Sequence, residues 1–190
     1  MSNDREGGWI GKEEDHLSSL ATLVLRLVIG GFMAGHGAQK LFGSFGGPGM
    51  EGTEAMVESQ GLKPPRPWAV MGGVSEFGGG ALTALGLLNP LGPIGVIAAM
   101  AMAAKTVHGG QPIWVTEGGA EFPVTNIAAA TALMLGGPGK YSFDRVLGLR
   151  VSAWISFLAL VAVVLAVVYG PEDQTDQEPA GEESKGEPGA

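Results

Sequence analysis

The run from Val151 to Tyr169 contains no charged side chain over 19 residues, and it constrains the fold more than any other feature of the chain. A helix on the surface of a water-soluble protein carries a polar stripe, and this run has none. Trp154 and Tyr169 stand near its two ends, as aromatic side chains do at the edges of a bilayer. The run therefore predicts a transmembrane helix rather than a buried helix of a soluble protein.

Four further apolar segments precede this run. The first, Leu17–Phe42, is long enough to cross about 30 Å of hydrocarbon with tilt. The second is Trp68–Leu88. The third and fourth, Leu91–Thr106 and Phe122–Gly137, are short, and each is also compatible with a re-entrant or buried helix. With Val151–Tyr169 they predict an all-α membrane protein, in which a four-helix transmembrane bundle is followed by an additional C-terminal transmembrane helix.

Charged residues make up only 16% of the chain and lie mostly outside these segments. We expect a polar N-terminal segment at residues 1–16, a membrane bundle at 17–147 and an extra transmembrane helix at 148–170. Residues 171–190 are acidic and contain Pro and Gly, so we expect a disordered tail. The acidic N-terminus lacks the basic start of a cleavable signal peptide. The expected location is the cell (plasma) membrane, crossed several times, with the lipid bilayer as partner.

Composition excludes several classes of function. The net charge of −8 argues against a nucleic-acid partner, because a phosphate backbone is bound by a basic face. The chain has no cysteine, which removes disulfides, thiol chemistry and iron–sulfur ligation. Neither a Walker motif nor a dinucleotide-binding glycine motif is present. We predict no metal site.

Arg26 and Glu76 each lie inside an apolar segment, where a charged side chain costs roughly 2.5–3.5 kcal/mol. Counted from the ends of two antiparallel segments, their depths differ by about three residues, or ~4.5 Å. We therefore expect an Arg26–Glu76 ion pair. The pair is either a structural link between two helices or part of a proton or quinone site built on Glu76. A third interpretation is that the Arg26 side chain extends, without a partner, toward one surface of the membrane.

One end of the predicted bundle collects further polar residues, because alternating segments bring four helix ends to the same side. These residues are His36, Gln39, Lys40, Lys105, His108, Gln111, Glu117, Glu121 and Asn126. Histidine can relay a proton or bind a quinone carbonyl, and a histidine pair can also ligate haem, the less favoured interpretation here. The catalytic candidates are Glu76, His36 and His108. The cofactor-binding candidates are Arg26, His36, Gln39, Lys40, Glu76 and Lys105.

Glycine is abundant, with 33 residues, and many lie inside the apolar segments. Small residues allow helices in lipid to approach closely. Gly31 and Gly35 form a GxxxG pair in the first segment, so we predict tight helix packing. The alternative is a glycine-lined groove for a flat cofactor.

Three stretches together resemble the DoxX family of small integral membrane proteins. They are "LRLVIGGFMAGHGAQKLFG", "GLKPPRPWAVMGGVSEFGGGALTALGLL" and "LGGPGKYSFDRVLG". The resemblance implies a four-helix membrane bundle. It also implies sulfur-compound oxidation coupled to quinone, as in some members, or a membrane oxidoreductase complex that handles oxidative stress, as in others. The motif positions that it carries include Arg26, His36, Gln39, Lys40, Glu76, Tyr141 and Asp144. The fifth helix, the acidic tail and the insert Phe45–Gly61 depart from the family pattern.

Three functions remain open at this stage, and whether the protein is an enzyme is left undecided. The favoured one is a quinone-linked membrane oxidoreductase subunit, with quinone as the expected cofactor. The second is a non-catalytic scaffold that anchors soluble redox enzymes. The third is a small-solute transporter, suggested by polar groups inside the membrane.

Overall fold

The structure, a computed structural model, describes residues 3–169, with side chains from His16 onward, and this part of the chain is all α. Seven α-helices are present in it: α1 Asn3–Phe42, α2 Gly49–Ser59, α3 Pro65–Leu85, α4 Leu91–Thr106, α5 Glu121–Gly136, α6 Phe143–Leu147 and α7 Ala153–Tyr169. Single 3-10 turns lie at Ser44–Gly46 and Val115–Glu117. The predicted tail, residues 171–190, lies outside the described residues.

Helices α1, α3, α4 and α5 pack in a ring, since α1 contacts α3, α3 contacts α4, α4 contacts α5, and α5 returns to α1. The apolar core between them is built around Met33, Val96 and Ala130, which have no exposed surface. Helix α2 lies against α1 and α3 at one end, and α7 packs on α4 from outside. The order of the helices thus agrees with the five predicted apolar segments.

The contact between α1 and α3 is made through glycines. A Cβ on Gly30 would lie 2.6 Å from the carbonyl oxygen of Gly80 and closer still to the backbone nitrogen of Ala84. Such close approach is how small residues join helices in lipid. The predicted tight packing is confirmed, but Gly31 and Gly35 are the wrong pair. A Cβ on either would meet nothing within 4 Å, because both lie on a face of α1 turned away from α3.

Helix boundaries follow local signals. Helix α4 has the predicted bounds, whereas α3 begins and ends three residues earlier than expected. Pro65 is the first residue of α3, a position where its missing N–H costs nothing, and Gly86 ends the helix with φ of 61°. Helix α1 begins at Asn3, so it includes most of the predicted polar N-terminal segment.

The helices differ in how long and how apolar they are. Among the described residues, only the part of α1 from His16 to Phe42 is both long and apolar enough to cross a membrane. Helices α4 and α7 are apolar but shorter, with 16 and 17 residues. No side chain of α7 is buried. Its Phe157, Val164 and Val168 each expose more than half of their surface.

Candidate functional site

A cavity of about 120 Å³ lies at the end of the bundle where α1 and α4 finish and α3 begins. Five helices form it: α1, α2, α3, α4 and α7. Its walls are mainly apolar and include Met56, Val57, Leu62, Trp68, Met71, Ala99, Met102, Val163, Ala166 and Val167. Its polar lining residues are Lys40, Thr53, Gln60, Ser75, Glu76 and Thr106. We call this space the Glu76 cavity.

An ion pair lies at the polar side of the Glu76 cavity. Lys40 Nζ is 2.6 Å from Glu76 Oε1, and the side chains of Lys40 and Glu76 are 27% and 5% exposed. The second carboxylate oxygen, Glu76 Oε2, is buried and has no hydrogen-bond partner among the described residues. Buried polar atoms in proteins are nearly always hydrogen-bonded, to protein or to another molecule. Glu76 is therefore a lining residue of the cavity with one carboxylate oxygen that no described residue satisfies.

The end of α1 is held in place by the glycine-rich segment after it. The hydroxyl of Thr53 in α2 shares its proton between the carbonyl oxygens of Gly49, at 2.7 Å, and Lys40, at 3.1 Å. Gly47 lies so close to Gln39 that no Cβ fits between them. The rings of Phe42 and Phe77 meet edge to face, with centroids 5.4 Å apart. These contacts bring α2 over the cavity and orient Lys40 toward α3.

The predicted Arg26–Glu76 ion pair is wrong. Arg26 Nη2 donates to the carbonyl oxygen of Tyr141, and its guanidinium lies against Gly86. Gly86 is ten residues beyond Glu76, a separation of about 15 Å along a helix. The prediction failed because it aligned the two segments by their ends. The glycine contacts set another register, in which Arg26 faces the end of α3 and Lys40 reaches Glu76.

The remaining predicted site residues lie at the same end of the bundle but do not line the Glu76 cavity. The ring of His36 meets that of Phe122 edge-on, with centroids 6.0 Å apart. His108 Nδ1 is 2.6 Å from the carbonyl oxygen of Gly118. Lys105 Nζ donates to the carbonyl oxygen of Val167, at 2.8 Å, in the last turn of α7. The roles predicted for the two histidines stay predictions, and Lys40 and Glu76 are the candidates that the cavity brings together.

Sequence reasoning missed the contributions of α2 and α7 to this cavity. Thr53 and Gln60 belong to the insert, whose glycine content indicated a loop. The wall formed by Val163, Ala166 and Val167 belongs to a helix that is apolar on every face, so no pattern marks the side that contacts α4. The spacing of Gly30 and Gly37 was the available signal for the α1–α3 register.

A second group of polar contacts joins α6 to the α3–α4 turn at the other end of the bundle. The Asp144 carboxylate accepts hydrogen bonds from the backbone N–H groups of Leu88 and Asn89, both at 2.8 Å. The N–H of Asp144 donates to the carbonyl oxygen of Gly86, at 3.0 Å. Ser142 Oγ accepts from the N–H of Arg145 and caps α6. These contacts give the stretch "LGGPGKYSFDRVLG" a structural role.

Comparison with protein-family models matches residues 21–109 to the family described as DoxX. The match includes both Lys40 and Glu76 and ends shortly after α4, so α5, α6 and α7 lie outside it. No curated protein matches the chain, and no solved structure matches it.

Proposed function

Residues 21–109 form a DoxX domain, of a family of membrane proteins, and from this premise we propose that the protein is the quinone-binding subunit of a membrane oxidoreductase. One observation carries the proposal. The Glu76 carboxylate has one oxygen paired with Lys40 and one buried oxygen without a partner, at the polar side of an apolar cavity. That combination suits a lipid-soluble ring with an oxygen at its edge.

The size and lining of the Glu76 cavity fit such a ring. Its volume of about 120 Å³ is close to that of apolar cavities that admit benzene, ~150 Å³. Trp68, Met71 and Met102 line it, and aromatic and thioether groups both contact flat rings favourably. A quinone presents a flat apolar body with a hydrogen-bonding oxygen at each end, and this matches apolar walls with one polar side.

The two charged residues have separate roles in this proposal. Lys40 Nζ carries three N–H groups, of which one faces Glu76, so another donates to a quinone oxygen. Glu76 Oε2 accepts the O–H of a quinol or holds the proton that a quinone oxygen receives. A bound quinone supplies the capacity to take up two electrons and two protons. The electrons come from a soluble redox enzyme, which we propose as the protein partner.

The same proposal places the protein in the cell membrane with five crossings, by α1, α3, α4, α5 and α7. The apolar side chains exposed on α1 and α7 support it, among them Phe32 at 69% and Val168 at 59%. Helices α4, α5 and α7 reach only about 24–26 Å at 1.5 Å per residue, so they require local thinning of the bilayer or flanking residues to complete the crossing.

The scaffold and transporter hypotheses make different demands on Glu76. A scaffold needs no buried carboxylate with an unpartnered oxygen, since such a group destabilises the fold unless a ligand or water satisfies it. A transporter needs a route for a solute from one side of the membrane to the other. The cavity favours ligand binding, so the experiment below is also the one that separates these hypotheses.

The test is a binding titration of the full chain in detergent with decylubiquinone, followed by quenching of tryptophan fluorescence. Trp68 lines the cavity, and the Trp68→Phe variant identifies its share of the signal. We expect Glu76→Gln to weaken binding by about tenfold or more, because a hydrogen bond to a charged group contributes roughly 1.5–3 kcal/mol.

The matched control is Glu54→Gln. Its carboxylate pairs with Arg66 at 3.4 Å and does not line the cavity, so binding should be unchanged. Failure of the unaltered protein to bind the quinone would remove the proposal and favour the scaffold. Equal affinity of Glu76→Gln and the unaltered protein would place the quinone site elsewhere.

A further inference from the structure

A second cavity, of about 670 Å³, lies at the opposite end of the bundle from Glu76. It is formed by Ser19 of α1, Asn89 of the α3–α4 turn, the segment around α6 and the linker that leads to α7. Its lining residues are Ser19, Asn89, Pro138, Gly139, Lys140, Asp144, Arg145, Gly148, Leu149, Arg150 and Val151. We call it the basic cavity.

The charge of this lining is unusual for the chain. Lys140, Arg145 and Arg150 all line the basic cavity, three of only 11 lysines and arginines in a chain with a net charge of −8. The one carboxylate in the lining is Asp144, and both of its oxygens already accept backbone N–H groups. The cavity therefore has an excess of positive charge, and arginine is suited to binding phosphate through paired N–H groups.

The backbone around α6 fixes the spacing of these cations. Ser142 caps the start of α6, and Gly148 ends it with φ of 67°. The N–H of Leu149 then donates to the carbonyl oxygen of Asp144, at 3.0 Å. Asp144 is itself bound to the α3–α4 turn, and Leu149 is bound to Asp144. The segment that carries Arg145 and Arg150 is therefore attached to the bundle through Asp144. The backbone of this segment is thus held against the bundle, while the side chains of Lys140, Arg145 and Arg150 are exposed.

Apolar side chains are exposed beside the cations on the same short helix. Val146 is 79% exposed and Leu147 58%, while Phe143 is 48% exposed. Trp154, 65% exposed, follows at the start of α7, a position typical of the membrane–water interface. A free anion would contact only the cations, whereas a ligand with an anionic group and hydrocarbon chains would contact both kinds of side chain.

We propose that the basic cavity binds the phosphate group of an anionic phospholipid, whose acyl chains lie against the exposed apolar residues of α6. Basic pockets between transmembrane helices are known to bind anionic head groups at the membrane surface. The basic cavity shares no lining residue with the Glu76 cavity, so lipid binding can be tested independently of quinone binding.

The experiment is native mass spectrometry of the full chain, with lipid retention measured after exchange into detergent containing phosphatidylglycerol or phosphatidylcholine. We expect the unaltered protein to retain phosphatidylglycerol at least about tenfold more strongly than phosphatidylcholine. The double variant Arg145→Gln/Arg150→Gln should lose this preference. The conservative variant Arg145→Lys/Arg150→Lys should keep part of it, which shows that any loss reflects charge rather than misfolding.

The matched control is Lys63→Gln/Arg66→Gln, which removes two exposed cations from the loop and helix start at the other end of the bundle. It should retain the preference for phosphatidylglycerol. Equal retention of the two lipids by the unaltered protein would overturn the proposal. A loss in the control as large as that in Arg145→Gln/Arg150→Gln would also overturn it, since attraction would then be general. Displacement of the lipid by millimolar inorganic phosphate would assign the site to a free anion instead.

Discussion

Arg26 and Glu76 are ionisable side chains buried within α1 and α3, and different neighbours stabilise them. Glu76 Oε1 lies 2.6 Å from Lys40 Nζ, and Glu76 Oε2 has no hydrogen-bond partner among the described residues. Arg26 is 2% exposed and donates to a backbone carbonyl, while its Nε and Nη1 have no hydrogen-bond partner in the part of the chain described. Each of these arrangements leaves some desolvation cost uncompensated. Glu76 lines a cavity, whereas Arg26 packs against Tyr141 and Gly86.

Removing Lys40 should expose the cost of the buried carboxylate. We expect Lys40→Met to lower the free energy of unfolding by about 2–3 kcal/mol, below the usual range for a buried pair because Lys40 is partly exposed. The double variant Lys40→Met/Glu76→Gln should recover much of the loss, since no unpaired charge remains. Chemical denaturation of all variants in detergent measures the coupling. A double variant less stable than Lys40→Met would contradict an ion pair at this position.

Asp144 should matter more for stability than its position in a five-residue helix suggests. Asp144→Asn replaces one acceptor oxygen with an amide NH₂ that faces a backbone N–H, and we expect a loss of about 2–3 kcal/mol. Thermal unfolding followed by circular dichroism should show a lower midpoint. Glu58→Gln, on the exposed side of α2, is the control and should leave the midpoint unchanged. A midpoint as high in Asp144→Asn as in Glu58→Gln would show that the two N–H contacts contribute little.

At the residue scale, the sequence identified Glu76 and Lys40 as site candidates but not their pairing. A charge inside an apolar segment is visible in a sequence because hydrocarbon makes it costly. The partner depends on the register of two helices, which the ends of apolar segments define only to within a few turns. The contacts at Gly30 and Gly37 decide that register, and they place Lys40 rather than Arg26 beside Glu76.

At the scale of elements, the helices of 16 residues or more were predictable, and the two shortest, α2 and α6, were not. The pattern behind α4, α5 and α7 is a mainly apolar run, which burial or lipid favours along the whole length. Helices α2 and α6 contain 11 and 5 residues and are partly polar. Short helices of this kind depend on tertiary contacts for stability. Here those contacts are the Thr53 hydrogen bond to Lys40 and the Asp144 hydrogen bonds to the α3–α4 turn.

The α1–α3 interface should be sensitive to a single methyl group. Gly30→Ala places a Cβ against backbone atoms of α3, which cannot move independently, so we expect a loss of at least about 1–3 kcal/mol. Gly31→Ala is the matched control one residue away, where a Cβ meets nothing within 4 Å. It should be neutral or stabilising, because alanine favours helix over glycine. Thermal midpoints in detergent compare the two, and equal effects would refute the packing described.

Helix α7 should determine the size of ligand that the Glu76 cavity accepts. Ala166 lines the Glu76 cavity, and Ala166→Leu reduces its volume of about 120 Å³. We therefore expect weaker binding of decylubiquinone, with little change in stability. Ala162→Leu, at an exposed position of the same helix that does not line the cavity, is the control. Binding is measured by the fluorescence titration described above. Unchanged affinity in Ala166→Leu would exclude α7 as a wall of the ligand site.

At the scale of the whole molecule, the two cavities lie at opposite ends of one bundle. The Glu76 cavity lies at the end where α1, α4 and α7 finish, and the basic cavity lies where α7 begins. The sequence predicted the order of the helices, since short connections between consecutive apolar runs make neighbouring helices antiparallel. Lys140, Arg145 and Arg150 are close in the sequence, but the basic cavity was not predictable, because Ser19 and Asn89 meet them only when Asp144 attaches α6 to the α3–α4 turn.

This arrangement predicts how the chain is oriented in the membrane. Basic residues accumulate on the cytoplasmic side of membrane proteins. Outside the tail, the end with the basic cavity has five (Arg5, Lys12, Lys140, Arg145 and Arg150) and the opposite end has four (Lys40, Lys63, Arg66 and Lys105). This small excess predicts that the end with the basic cavity faces the cytoplasm. The chain has no cysteine, so single cysteines report topology without background. In intact cells, a membrane-impermeant maleimide should label Gln111→Cys, in the loop between α4 and α5. It should leave Ser152→Cys, in the linker before α7, unlabelled until the cells are opened. The reverse result would invert the orientation and place the basic cavity against the outer leaflet. Labelling of both positions in intact cells would contradict the proposed crossing by α5.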